Sequence, residues 1–158
     1  MSIGVARFLS CEAGGLDLQV LGPAFPDASN AWDADQLLVE LRFSISSQAA
    51  VYCVATQGCY RGVLRRAELA RFVGELKTQA STVRGLSRLS TMEEWLTITI
   101  EGDARGHFKA KVEVTNDPER LERALSTVLV LYLDLELPDL LRISEGVTQA
   151  LLAGQQEC

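Results

Sequence analysis

The last third of the chain carries the clearest alternation of hydrophobic and polar positions. Leucine occupies every second position from 129 to 137, and Asp134 and Glu136 fall between them. A period of two indicates a strand with one buried face. Pro138 ends the ladder but suits the first turn of a helix. Apolar residues then recur at helical spacing through Leu151, so a long strand should pass directly into a closing amphipathic helix.

Further segments show the same two periods. Alternation predicts strands over residues 16–20, 37–45, 49–57, 60–64, 95–101 and 108–114. An apolar stripe with a spacing of three and four residues predicts a helix over 68–76, which frays by 80–84. Turn-forming residues predict a loop over 23–35, a turn over 46–48, a hairpin turn over 102–106 and a connection over 116–123.

The order β-β-β-(β)-α-β-β-β-α predicts an α+β fold. Strands that follow one another through short turns favour an antiparallel meander, here one sheet of about six to seven strands with two helices packed on one face. The other face should carry Thr97, Thr99, Lys109, Lys111, Glu113, Asp134 and Glu136. The length of 158 residues fits a single domain over 1–158, with 1–14 and 154–158 as mobile ends.

Composition narrows the class of partner. A net charge of −6 argues against binding nucleic acid or an anionic membrane, and it fits a basic protein partner as well as ordinary solubility. The four cysteines show no zinc-type spacing, and whether Cys53 and Cys59 meet stays open. We find no signal peptide or membrane span, so the expected compartment is the cytoplasm.

Candidate chemistry is sparse. His107 is the only histidine, so a histidine-rich metal site is excluded, and we interpret it as a solvated strand residue. Residues 102–106 lack the Gly-Lys-Ser/Thr ending of a phosphate loop. Asp134 and Glu136 share one strand face, where they fit solvation or a protein-binding surface better than acid–base work. The sequence therefore predicts no catalytic residue, no metal ligand and no cofactor.

Three stretches together resemble a known family. They are Leu37-Leu38-Val39-Glu40-Leu41 after an Asp-rich turn, residues 95–107 from Trp95 to His107 with their glycine-containing turn, and residues 131–141, where a strand runs into Leu137-Pro138 and a helix. With the helix at 68–76 between them, the chain resembles the WapI family of bacterial immunity proteins over about residues 16–153. The shared motifs are turns and strand patterns, not catalytic residues.

The resemblance implies a small bacterial protein that binds the C-terminal domain of a cognate polymorphic toxin and blocks it without turnover. Many such toxins are nucleases with basic clefts, which an acidic partner would complement. We expect the partner-binding residues on the exposed sheet face and in the acidic loop: Asp27, Asp33, Asp35, Lys109, Lys111, Glu113, Asp134 and Glu136.

Two other functions remain open. Val130, Tyr132 and the long aliphatic strand would support a sheet-to-sheet homodimer, which favours a homo-oligomeric structural or scaffold protein. An enzyme or small-ligand carrier would need convergent polar groups in a cavity, and the sequence pattern shows none.

Overall fold

The computed structural model describes residues 5–11, 14–49, 52–115 and 128–153. These residues form eight strands and three helices. In chain order they are β1 (Val5–Cys11), β2 (Gly14–Pro23), α1 (Ala31–Ala34), β3 (Gln36–Ala49), β4 (Tyr52–Arg65), α2 (Arg66–Thr82), β5 (Arg84–Ser90), β6 (Leu96–Asp103), β7 (His107–Thr115), β8 (Val128–Glu136) and α3 (Leu137–Ala153). Of the ends expected to be mobile at 1–14 and 154–158, residues 1–4, 12, 13 and 154–158 lie outside the described residues, as does the connection at 116–123.

The strands form two separate antiparallel sheets, so the α+β class is confirmed and the single meander of six to seven strands is wrong. The first sheet has the order β1-β2-β3-β4 and the second has the order β5-β6-β7-β8. Two compact units follow this division. The first unit contains Met1–Arg66 and Glu145–Cys158, and the second contains Ala67–Ser144. Periodicity could not reveal the break, because it identifies strands and not the neighbours with which they pair.

The core of the first sheet comes from the alternation on its central strands. Leu16 and Leu18 on β2 lie opposite Phe43 and Leu41 on β3, and all four are buried. Phe43 also stacks on Tyr60 of β4 with ring centroids 5.9 Å apart. This arrangement confirms the predicted strands over 16–20 and 37–45.

The hairpin of β3 and β4 is longer than the sequence predicted. The turn predicted at 46–48 is wrong, because Ser47 and Gln48 pair with Val54 and Cys53 in the ladder. The strands predicted over 49–57 and 60–64 are one strand, β4. The turn was predicted because Ser46, Ser47 and Gln48 are polar, but polar residues are also accepted within a long hairpin. Cys53 and Cys59 both lie on this strand, six positions apart.

The second sheet contains the predicted hairpin of β6 and β7. Ile98 and Ile100 pair with Val112 and Ala110, and the four side chains are buried. Strand β5 was not predicted, because Leu89 is its only buried apolar side chain. Strand β1 was not predicted either.

Helix α2 buries one stripe that matches the predicted spacing. Its buried residues are Leu69, Phe72, Val73, Leu76 and Gln79. The Gln79 Nε2 donates to the carbonyl oxygens of Gly85 (2.9 Å) and Ile100 (3.0 Å), and the Ser87 hydroxyl donates to Gln79 Oε1 (2.7 Å). A polar side chain is therefore buried with its hydrogen bonds satisfied, and it ties α2 to the second sheet.

Helix α3 follows β8 without a loop. The helix begins at Leu137, so the last leucine of the alternating row belongs to the helix and not to the strand. The Asp139 carboxylate accepts a hydrogen bond from the backbone N–H of Glu136 at 3.0 Å and holds the junction. Among the described residues, no helix is long and apolar enough to cross a membrane.

Candidate protein-binding surface

The outer face of the second sheet collects five of the predicted binding residues. The ladder places Lys109 between Glu101 and Asp134, and Lys111 between Thr99 and Tyr132. Glu113 lies between Thr97 and Val130, and Glu136 lies beside His107. Side chains that alternate with the buried rows must share one face. The strand register therefore places Lys109, Lys111, Glu113, Asp134 and Glu136 on one face, as predicted.

A cleft of about 480 Å³ lies at one end of this face, where β6, β7 and β8 meet. It is lined by Glu101, Gly102, Asp103, His107, Phe108, Lys109, Asp134, Leu135 and Glu136. The lining therefore includes four carboxylates and one lysine, together with Phe108 and Leu135, whose side chains are buried. We call this site the acidic cleft. Its shape and charge suit a cationic side chain of a partner.

Glycine is favoured at one position of the cleft wall. A Cβ at Gly102 would lie 3.0 Å from the Phe108 ring and 3.0 Å from the carbonyl oxygen of Val83. Both distances are tighter than most real Cβ contacts, so the Phe108 ring and the Val83 carbonyl would have to shift by a few tenths of an ångström to admit a side chain. The close approach of β6 to Phe108 therefore favours glycine at position 102.

The turn beside the cleft keeps Asp103 charged. Its Oδ1 accepts hydrogen bonds from the backbone N–H groups of Arg105 (2.7 Å) and His107 (3.2 Å). The Arg105 hydrogen bond is the largest cause that lowers the pKa of the Asp103 carboxyl below its ordinary 3.8. Asp103 therefore contributes both to the geometry of the hairpin turn and to the negative charge of the cleft.

The remaining charges on this face differ in how far they are compensated. Lys111 Nζ lies 2.7 Å from Glu113 Oε1, and this hydrogen bond raises the pKa of Lys111. Among the described residues, Glu101, Asp134 and Glu136 form no ion pair within 4.0 Å. The three carboxylates are exposed, so their charge is available to a partner.

The predicted acidic loop lies in the first unit and is partly engaged in its own structure. Asp33 follows the N-cap of α1, where its N–H donates to Asn30 Oδ1 at 2.8 Å and its carboxylate accepts from Asn30 Nδ2 at 2.7 Å. Asp35 lies 3.3 Å from Arg65, whose guanidinium stacks 3.9 Å above the Trp32 ring. Asp27 is exposed in a turn. The eight predicted residues thus form two sets, one in each unit.

The outer face of the first sheet is compensated internally. Glu40 is 2% exposed although it points away from the leucine row. Its two oxygens accept from Arg42 Nε (2.5 Å) and Arg61 Nε (2.6 Å). The arginine side chains cover the carboxylate and are themselves 62% and 67% exposed. The Glu40 carboxylate is therefore not available to a partner.

Sequence reasoning missed Glu101 and Asp103 as members of the site. The signal was present for Glu101, which continues the outward positions of Thr97 and Thr99 on β6. Asp103 was assigned only to the turn. The convergence of β6, β7 and β8 at one end of the sheet depends on register, which periodicity does not give.

The model of the family described as "Immunity protein WapI-like family" matches residues 7–153. No curated protein matches the chain. The structure of the plant transcriptional regulator PBF-2 is similar with 9% identity and a TM-score of 0.54, covering 99% of this chain and 84% of that chain. The structure of WHY1 from Arabidopsis thaliana has 12% identity and a TM-score of 0.49, covering 99% and 94%. At 9% identity, the likeness to PBF-2 shows the fold alone.

Proposed function

We propose a function from one premise: the chain belongs to the immunity protein WapI-like family, whose model spans residues 7–153. Membership of an immunity family suggests a toxin-neutralising role. We propose that this chain binds the C-terminal domain of a cognate bacterial toxin in the cytoplasm. It would act by covering the toxin's active surface, without catalysis and without a cofactor.

The acidic cleft is the observation that supports this proposal most directly. Glu101, Asp134 and Glu136 are exposed and unpaired within the described part of the chain, and the net charge of the whole chain is −6. A nuclease holds its phosphate substrate in a basic cleft, which a carboxylate-bearing surface complements. We therefore propose a nuclease as the toxin and the outer face of the second sheet as the main contact.

The acidic loop is the second part of the proposed surface. Asp27 is free of the local hydrogen bonds that engage Asp33 and Asp35, so we expect it to contribute more than they do. The proposed contact surface would then consist of a main group of carboxylates on the sheet and a smaller group on the acidic loop.

The test is growth rescue followed by a binding measurement. The chain is co-expressed with the C-terminal domain of the toxin encoded beside its gene, and affinity is measured by calorimetry. The double charge reversal Asp134→Lys and Glu136→Lys should weaken binding at least about tenfold, because like charges then face the basic cleft. Cleavage of nucleic acid by the toxin domain should return with this variant.

The matched control changes the same amount of charge elsewhere. Glu93 and Glu145 are exposed, so Glu93→Lys with Glu145→Lys should leave the affinity within about twofold. Equal weakening by both double variants would indicate only long-range attraction. Failure of rescue and of binding by the wild-type chain would overturn the proposed function.

A homo-oligomeric scaffold is the alternative, and one observation favours it. Tyr132 is 76% exposed and Val130 is 38% exposed on neighbouring outward positions of β8. Light scattering separates the two functions, since a scaffold should be oligomeric without any toxin and an inhibitor can bind its target as a monomer.

A further inference from the structure

The two edges of the second sheet are finished differently. At the β5 edge, the backbone N–H of Arg88 donates to Glu75 Oε2 at 2.8 Å. The Thr82 hydroxyl donates to the carbonyl oxygen of Arg84 at 3.1 Å. Both partners come from α2, so side chains of the helix already satisfy backbone groups that an incoming strand would need. This edge is closed to further pairing.

The β8 edge has no such protection within the described residues. In an antiparallel ladder, alternate residues direct both backbone groups toward the neighbouring strand or away from it. The N–H of Glu136 donates to Asp139, so Glu136 and the residues two, four and six positions before it direct their backbone groups away from β7. Apart from that bond, no hydrogen bond in the described part of the chain reaches the outward backbone groups of Val130, Tyr132 and Asp134.

Three of the usual devices that block an edge strand, namely a bulge, a proline and an inward-pointing charge, are absent from described β8. Its pairing with β7 runs from Val128 to Glu136 without a register shift, so no bulge twists the edge away. It contains no proline, and the residues on its inner face are leucines and not inward-pointing charges. A straight edge with free donors and acceptors is a template for another strand.

We infer that β8 is the docking edge for an extended segment of the toxin, which would add a fifth strand to the second sheet. This inference rests on the proposed function and specifies how the partner is held. Backbone hydrogen bonds to Val130, Tyr132 and Asp134 provide affinity for the segment, and the side chains on both faces of β8 provide specificity.

The side chains of β8 define the chemistry of the segment. On the outer face, residues beside Asp134 and Glu136 should be lysine or arginine, and residues beside Val130 and Tyr132 should be apolar or aromatic. On the inner face, Leu131 and Leu133 are only half-buried, so apolar residues of the segment would complete their burial. A second copy of this chain fits less well, because its own β8 carries the same carboxylates.

Amide exchange measured residue by residue tests the inference directly. The full-length chain is compared alone and bound to the C-terminal domain of the toxin encoded beside its gene. Exchange at Val130, Tyr132 and Asp134 should slow at least about tenfold on binding, because each N–H gains a partner, and the β5 edge should not change. Binding without this protection would overturn the docking edge and leave the proposed function intact. No binding at all would overturn both.

A pair of proline variants gives a second, independent readout. Tyr132→Pro removes an N–H that points away from β7, so the existing ladder is kept, and binding should weaken about 10- to 100-fold. Leu86→Pro makes the same change on the closed β5 edge and should leave affinity unchanged. Tyr132→Ala separates loss of the ring from loss of the N–H. Equal affinity of Tyr132→Pro and Tyr132→Ala would contradict the inference, as would dimerisation of the wild-type chain through β8 without the toxin domain.

Discussion

The first and second halves of the chain repeat one topology. Each has four antiparallel strands followed without a loop by a helix, α2 after β4 and α3 after β8. The helices have 17 residues each and begin 71 positions apart. Their buried positions coincide at this spacing, with Leu69, Phe72, Val73, Leu76 and Gln79 matching Leu140, Ile143, Ser144, Val147 and Ala150. Different side chains thus satisfy one pattern of burial.

The halves differ in how they treat polar groups. The first sheet buries Glu40 under two arginines on its outer face, which neutralises that face internally. The second sheet exposes Glu101, Asp134 and Glu136 on the matching face, and its charge is left for another molecule. A repeated topology therefore does not imply a repeated surface, and function is specified by residues that the packing pattern does not constrain.

The largest expected effect tests the buried amide that distinguishes α2 from α3. Gln79→Leu should lower the free energy of unfolding by about 2–4 kcal/mol, because the Gly85 carbonyl and the Ser87 hydroxyl lose their buried partner. Urea unfolding measures this change. Lys77→Leu, at an exposed position of the same helix, should change stability by no more than about 0.5 kcal/mol. Equal stability of the two variants would show that α2 is held by apolar burial alone.

An intermediate effect compares the two outer faces. Glu40→Gln should lower the free energy of unfolding by about 1–3 kcal/mol, since the NH2 group that replaces one carboxylate oxygen cannot accept a hydrogen bond from an arginine. Exposure of the two arginines limits the loss. Asp134→Asn should leave stability within about 0.5 kcal/mol and weaken toxin binding instead. If Asp134→Asn destabilised the chain as much as Glu40→Gln, the contrast between a structural and a binding face would fail.

The smallest expected effect concerns pH and the Asp103 turn, which belongs to the second half. Hydrogen bonds lower the pKa of Asp103 below 3.8, so its contribution to stability is present above that pH and is lost as pH falls through the lowered value. The difference in unfolding free energy between wild type and Asp103→Asn should be constant above about pH 5 and should shrink in stronger acid. Urea unfolding from neutral to acidic pH measures it.

Salt provides the control for the pH experiment. The main cause of the shift is a backbone hydrogen bond and not a distant charge, so about 0.5 M salt should preserve the pH dependence. A difference that stayed constant through the acid range would contradict the assigned hydrogen bonds.

The sequence by itself determined the strands with strong alternation and the two long helices. It also determined which residues of those strands face outward. Leu16 and Leu18, Ile98 and Ile100 and the outward Lys109 and Asp134 follow from a period of two, since a pleated strand alternates its faces. Local propensity also gave the hairpin at 102–106 and the helix start near Pro138. These features depend only on neighbours in the sequence.

Only the tertiary structure decided which strands pair and which edge stays open. The division into two sheets, the polar strand β5, the burial of Glu40 and the acidic cleft all depend on residues distant in sequence, such as Arg61 and Glu40 or Asp103 and Glu136. Strand pairing is specified by register and long-range packing, and a single strand carries no signal for its partner. The hydrophobic pattern therefore fixes what is buried, and only the fold decides which charges meet and which are left for a partner.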